Sequence, residues 1–213
     1  MNIFSIETVF LNIGNYPLSY IELVGTILYF ASVFLISRKN ILTWPVGIIS
    51  VILYGILFYQ IELYSDMLEQ SYYFVISIIG WITWNTRKNN NQPIETMWSG
   101  KKGILLSISI TIFGTILLSI FTTSFNKYFP NIFPEPASFP ILDALTTVMS
   151  FVAMYLITVR KNEGWIYWII VDIIAIWLYW VKDVRFISIQ YVFLLGMAIY
   201  GFIYWMKKGI VKQ

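Results

Sequence analysis

This sequence predicts an all-α membrane protein with seven transmembrane helices. Composition, the number and length of the apolar stretches, and the placement of basic residues lead there together. Of 213 residues, 58% are hydrophobic, 19% aromatic and 12% charged, with a mean hydropathy of +0.72. A soluble domain carries about twice that charged fraction and has too little interior to hide so much apolar surface. The counts also exclude chemistry. Without cysteine there are no disulfides, thiolate metal sites or thiol nucleophiles, and without histidine there is no imidazole base or ligand. The net charge of +3 is small and scattered, so no nucleic-acid footprint forms. No phosphate-binding loop, zinc-protease helix motif or nucleophile elbow occurs. The chain is therefore expected to be no enzyme and to need no metal or cofactor.

Taken in order, residues 1–17 form an N-terminal interfacial segment and 18–213 a single transmembrane domain. The first segment lacks the basic start and small-residue cleavage site of a secretory signal. Phe4, Ile6, Val9, Phe10 and Ile13 fit one side of a short interfacial helix, broken by Gly14, Asn15 and Pro17. Seven apolar stretches follow, at about 20–36, 41–60, 67–84, 103–122, 141–159, 165–181 and 186–206. Each is long enough to cross a bilayer as a helix, which satisfies its own backbone groups. Pro45 falls in the first turn of the second, where a missing N–H costs little. Residues 123–140, with Pro130, Pro134, Pro136 and Pro140, make the one long irregular connection.

Basic residues set the orientation. Arg38, Lys39, Arg87, Lys88, Lys101, Lys102, Arg160, Lys161, Lys207, Lys208 and Lys212 share one side; Lys127, Lys182 and Arg185 lie on the other, which is 11 against 3 of the 14. The rich side is cytoplasmic, so the N-terminus lies outside and the C-terminus inside. The chain also repeats. Gly80-Trp-Ile-Thr-Trp84 recurs as Gly201-Phe-Ile-Tyr-Trp205, 121 residues on, and the same offset carries Trp44 onto Trp165. Arg38-Lys39 recurs as Arg160-Lys161, one residue further along. The reading is two parallel three-helix repeats, about 20–84 and 141–206, joined by a linker helix at about 103–122. The odd linker crossing makes both repeats enter from the same face, as in sugar-efflux-type transporters.

Four spans carry polar and aromatic stripes. Gln70, Tyr73, Ser77, Trp81 and Trp84 lie on one face of the third; Trp165, Trp168, Asp172 and Tyr179 share a face of the sixth. Gln190, Met197, Gly201 and Tyr204 line the seventh, and Trp44, Gly47, Tyr54 and Phe58 follow a looser line on the second. Aromatic faces stack on a planar ring and attract a cation. Amides offer donor and acceptor to a carboxamide or to sugar hydroxyls. A mid-bilayer carboxylate is costly and faces a cavity or a partner, which singles out Asp172. Simpler roles stand beside these. Trp44, Trp81, Trp84, Trp165 and Trp205 sit near span ends, where tryptophans form interfacial belts. Gln70 and Gln190 suit interhelical hydrogen bonds, and Lys182 is a candidate to neutralise Asp172. Glu22 and Asp143, at matching starts of the first and fifth spans, suit helix N-termini.

Several stretches resemble one family. They are LSYIELVGT (18–26), FYQIELY (58–64) with Gln70 after it, GWITW (80–84) with its Trp-x-x-Trp pair, FPILD (139–143), MSFVAMYLITVRKNEGWIYW (149–168) and GFIYW (201–205). In this order they resemble the PnuC family of bacterial nicotinamide riboside transporters, over about residues 18–206. The resemblance implies the three-plus-one-plus-three helix arrangement, the bacterial inner membrane, uptake of nicotinamide riboside by facilitated diffusion, and a homotrimer among membrane lipid. It implies a nicotinamide ring held by aromatic and amide side chains, which points to Gln70, Tyr73, Trp81, Trp84, Trp165 and Asp172. The chain departs from the family pattern at Ser50, Met154 and Gly164, which puts substrate identity within the family in question. The rival expectations are a carrier of the same fold for thiamine or another flat vitamin, and a membrane sensor or scaffold without transport.

Overall fold

The computed structural model describes residues 2–14, 16–61, 64–89, 94–128, 139–183 and 185–209. A short hairpin, β1 (Val9–Ile13) and β2 (Tyr16–Ser19), precedes seven helices. These are α1 (Tyr20–Ser37), α2 (Thr43–Gln60), α3 (Tyr64–Asn89), α4 (Lys101–Tyr128), α5 (Pro140–Thr158), α6 (Glu163–Val181) and α7 (Arg185–Gly209). Six of them are long and apolar enough to cross a membrane. The exception is α3, expected here as a seventh span. Its 26 residues reach about 39 Å, more than a bilayer's hydrocarbon core. Its Asp66, Glu69, Gln70, Ser71 and Ser77 lower its apolar character; Gln70 and Ser77 belong to the polar stripe read from the sequence. α3 and α4 also run several residues past the expected ends. Most of the proline-rich connection, 129–138, lies outside the described residues; Pro140 begins α5.

The N-terminal segment is not the interfacial helix expected. β1 and β2 pair antiparallel, Asn12 opposite Pro17 and Ile13 opposite Tyr16. Gly14 has φ +61, a left-handed conformation that glycine adopts without a Cβ penalty. The run Val-Phe-Leu-Asn-Ile is β-branched and aromatic, and suits a strand as well as an amphipathic turn. Gly14 and Asn15, read as a helix break, are equally a hairpin signal. Gln60 of α2 anchors the segment, accepting from Ile6 N at 3.0 Å and donating to Phe4 O at 2.7 Å.

The chain folds as two compact units. The first contains Met1–Thr96, Thr158–Arg160 and Tyr200–Gln213. Ser19 caps α1 by accepting from Glu22 N, and Glu22 itself accepts from the Tyr16 hydroxyl. α1 packs on α2 through small and hydroxyl residues, as helices in lipid do where no water drives them together. Ser50 Oγ donates to Gly25 O at 2.9 Å, Thr43 Oγ1 to Ser32 O at 2.8 Å, and Thr26 shares a 2.8 Å bond with the Tyr54 hydroxyl. Ile21, Leu53 and Leu57 fill the apolar centre.

The second unit contains Met97–Ile157 and Lys161–Ile199. Val148, Val152 and Leu156 of α5 make its core, with Leu118 of α4 and Tyr167 of α6 against them. Leu105, Phe113 and Leu117 are at least two-thirds exposed, an apolar face that only lipid or protein can cover.

The turns after α1 and α5 match residue for residue. Lys39 has φ 57 and Arg160 φ 63, 121 positions apart. Asn40 N donates to Leu35 O at 2.9 Å, and Lys161 N to Leu156 O at 2.7 Å. Both helices thus end in the six-to-one C-terminal bond whose next-to-last residue is left-handed. In each case a long basic side chain holds the place that glycine usually takes.

Candidate functional site

The four largest fully buried side chains are Trp44, Trp84, Trp165 and Trp205, two pairs at the 121-residue offset. In the first unit they do structural work with polar consequences. Trp84 Nε1 donates to Thr158 O at 3.0 Å, and Trp205 Nε1 donates to Ile36 O at 3.1 Å. Each indole therefore donates to a carbonyl in the last turn of a helix, and Ile36 O also accepts from Lys39 N at 2.9 Å. The Trp84 ring stands edge-on to Trp44 at 5.3 Å and 6.2 Å from Trp205. Trp44 lies flat over Gly80: a Cβ there would meet its ring atoms at 2.3 to 2.6 Å. Trp44 Nε1 is buried with no hydrogen-bond partner among the described residues. Around this cluster Lys39 Nζ donates to Thr96 Oγ1, and Arg38 donates to the Tyr200 hydroxyl at 2.7 Å while sitting 5.2 Å from the Tyr204 ring centre. Arg38 is exposed, and its hydroxyl partner holds its proton more firmly than usual.

The other residues singled out on α3 face less protein. Gln70 is half-buried and lines a groove of about 450 Å³ between α2 and α3, with Gly55, Met67, Ser71 and Phe74. The absent Cβ of Gly55 makes room beside it, at 3.8 Å from Gln70 Cβ. Tyr73 is half-buried with its ring 5.6 Å from Tyr72. Trp81 is 43% exposed.

In the second unit, Trp165 is 2% exposed and Asp172 is 2% exposed, while Trp168 and Gln190 are half-buried. Trp165, Trp168 and Asp172 stack along one side of α6 at intervals of three and four residues, which brings them onto one face. Asp172 has no hydrogen-bond or ion-pair partner among the described residues. Lys182, the candidate to neutralise it, instead pairs with Asp143 at 2.9 Å near the surface. Asp143 therefore holds a lysine as well as the start of α5. A buried carboxylate in this condition calls for a cation or for hydroxyl and amide donors.

Arg160, counted among the loop charges that set orientation, is in fact buried, and so is Glu163. Arg160 is 8% exposed and Glu163 8% exposed. Glu163 Oε1 accepts from Ser99 N, and Asn162 N donates to Met97 O at 3.1 Å. Nothing in the run Arg-Lys-Asn-Glu distinguishes them from solvated charge. Among the described residues no three carboxylates gather as a metal site.

Comparison with known proteins gives a consistent picture. Residues 19–207 match the model of a family described as nicotinamide mononucleotide transporter. The nicotinamide riboside transporter PnuC of Escherichia coli K12 is 29% identical over 229 residues, 98% of this chain and 96% of that one. PnuC of Neisseria mucosa is 27% identical over 209 residues, 92% of this chain and 75% of that one. The riboflavin/roseoflavin transporter RibM of Streptomyces davaonensis is 25% identical over 189 residues, 86% of this chain and 83% of that one. The crystal structure of a vitamin B3 transporter PnuC has the same fold, with TM-score 0.68 and 24% identity, over 89% of this chain and 82% of that one.

Proposed function

The chain belongs to the nicotinamide mononucleotide transporter family, and from that premise we propose that it carries nicotinamide riboside inward by facilitated diffusion. It is a multi-pass inner-membrane transporter and not an enzyme. The observation that favours the riboside over the mononucleotide is Asp172. Past the first turn of any described span, it is the one buried side chain of Asp, Glu, Lys or Arg. A carboxylate there attracts a pyridinium cation and repels a phosphate.

In this reading Gln70 and Gln190 bond the carboxamide or the ribose hydroxyls, Tyr73, Trp81 and Trp168 offer ring faces, and Asp172 balances the charge. Trp44, Trp84 and Trp165, each buried to 2% or less, hold those helices in register; that burial supports a framing role over direct stacking. The two three-helix repeats joined by α4, with N-terminus out and C-terminus in, supply alternating access. The matched left-handed turns at Lys39 and Arg160 and the matched buried tryptophans support that arrangement. A homotrimer in lipid is part of the same proposal.

Purified protein in proteoliposomes tests it, with labelled nicotinamide riboside outside and no ion gradient. Entry above empty vesicles is expected, with unlabelled riboside competing better than the mononucleotide and Asp172→Asn lowering entry roughly tenfold. No entry defeats the proposal, and entry only under a proton or sodium gradient defeats facilitated diffusion. The second reading, a riboflavin-type carrier, has support from the RibM likeness; riboflavin outcompeting the riboside would establish it.

A further inference from the structure

The transport reading leaves one charged cluster without a task. Arg160 is 92% buried by its 8% exposure, and its Nε and Nη1 are sealed from solvent with no acceptor among the described residues. No carboxylate among the described residues pairs with it either. A second guanidinium stands close. The Trp84–Thr158 hydrogen bond ties α3 to the end of α5, and Arg87 lies one turn beyond Trp84 while Arg160 lies two residues beyond Thr158. Arg87 is near enough that its charge, after burial, is the next cause lowering the proton affinity of Arg160. The backbone of Arg160 is also held left-handed at φ 63, a conformation unfavourable for a long side chain.

A buried guanidinium beside a like charge is unfavourable without a counter-ion. Arginine, unlike lysine, presents a planar fork of donors that fits an oxyanion in two places. Two such cations match the charge of a phosphate better than that of chloride or a single carboxylate. We propose that Arg160 and Arg87, at the α5 end and α3 end of the first unit, form a binding site for a phosphate group. Either a soluble phosphate ester or the headgroup of an anionic phospholipid presents this chemistry. The site is separate from Asp172 and does not depend on which vitamin is carried.

The test uses the full chain in phosphate-free maltoside micelles and reads its melting temperature. Inorganic phosphate is titrated in one arm against sodium chloride of equal ionic strength, and phosphatidic acid in a second. A rise with phosphate assigns a soluble ligand; a rise with phosphatidic acid alone assigns a lipid; either upholds the site. Arg160→Gln should raise the half-saturating concentration roughly tenfold or more, and Arg160→Lys should fall between because it keeps charge but loses the fork. Arg87→Gln, at a half-exposed position, is the second variant and should also weaken binding. Identical curves in phosphate and chloride with no effect of phosphatidic acid overturn the proposal. So do wild-type half-saturation values in both Arg160→Gln and Arg87→Gln, which would mark a general salt effect.

Discussion

Gly80→Ala probes the tightest contact in the candidate site. The new Cβ would lie 2.3 Å from Trp44 Cη2, about 1.2 Å short of an ordinary carbon–carbon contact of roughly 3.5 Å. Trp44 is 1% exposed and is bounded by the Trp84 ring at 5.3 Å, so the indole cannot swing away without moving a second one. Overpacking of this kind costs about 1–3 kcal/mol, and contact with three atoms of the six-membered ring at 2.3 to 2.6 Å puts Gly80→Ala at the upper end. Against this, alanine in a helix interior gains about 0.5–1 kcal/mol over glycine. The net expected loss is roughly 2 kcal/mol. In a Trp44→Ala background the ring is gone and only the helix term remains, so the same change should stabilise by about 0.5–1 kcal/mol. The assay is equilibrium unfolding in mixed micelles of all four proteins, read as a double-mutant cycle. A change of sign between backgrounds is the expected result. Equal effects in both backgrounds would refute the claim that Trp44 occupies the space over Gly80.

Further outcomes follow from the same contacts. Trp84→Phe removes the indole donor to Thr158 O, and Trp205→Phe the one to Ile36 O, which keeps its bond from Lys39 N; each should cost about 0.5–1.5 kcal/mol in the same unfolding assay, and wild-type stability in both would refute the role of these bonds. Lys182→Ala removes an ion pair whose side chains are 29% and 37% exposed, so stability should fall by less than about 1 kcal/mol and less still at high salt. Uptake by Lys182→Ala should stay near wild type, since Asp143 and not Asp172 is its partner; a loss as large as that of Asp172→Asn would argue otherwise. Gly14→Ala places a Cβ at φ +61 and should cost about 1 kcal/mol, seen as faster exchange of the hairpin amides.

The hairpin shows where pattern reading misleads. The five-residue run Val9–Ile13 satisfies a strand and an amphipathic helix equally, and the choice falls to pairing partners that a linear pattern does not contain. Gln60, 54 residues from Ile6 in sequence, supplies two of the bonds that hold the segment. α3 shows the opposite. Its polar stripe was legible in the sequence, and that polarity, with Asp66 and Glu69 beside it, keeps the helix apart from the six of clear membrane character. Asp172 was legible as the informative carboxylate because burial in an apolar helix is costly wherever its neighbours stand. Its lack of Lys182 was not legible, because Asp143 competes for the same amine.

The membrane class, the seven helices and the family all reside in the sequence, since they depend on apolar length and motif order, which are properties of the chain taken locally. Burial and partnership do not. Whether an indole near a span end stays exposed or meets a helix terminus, as Trp81 and Trp84 do respectively, depends on which residues distant in sequence come within 3 Å. The same holds for Arg160: one of the 14 basic residues in the chain, it became a desolvated charge only when folding closed protein around it.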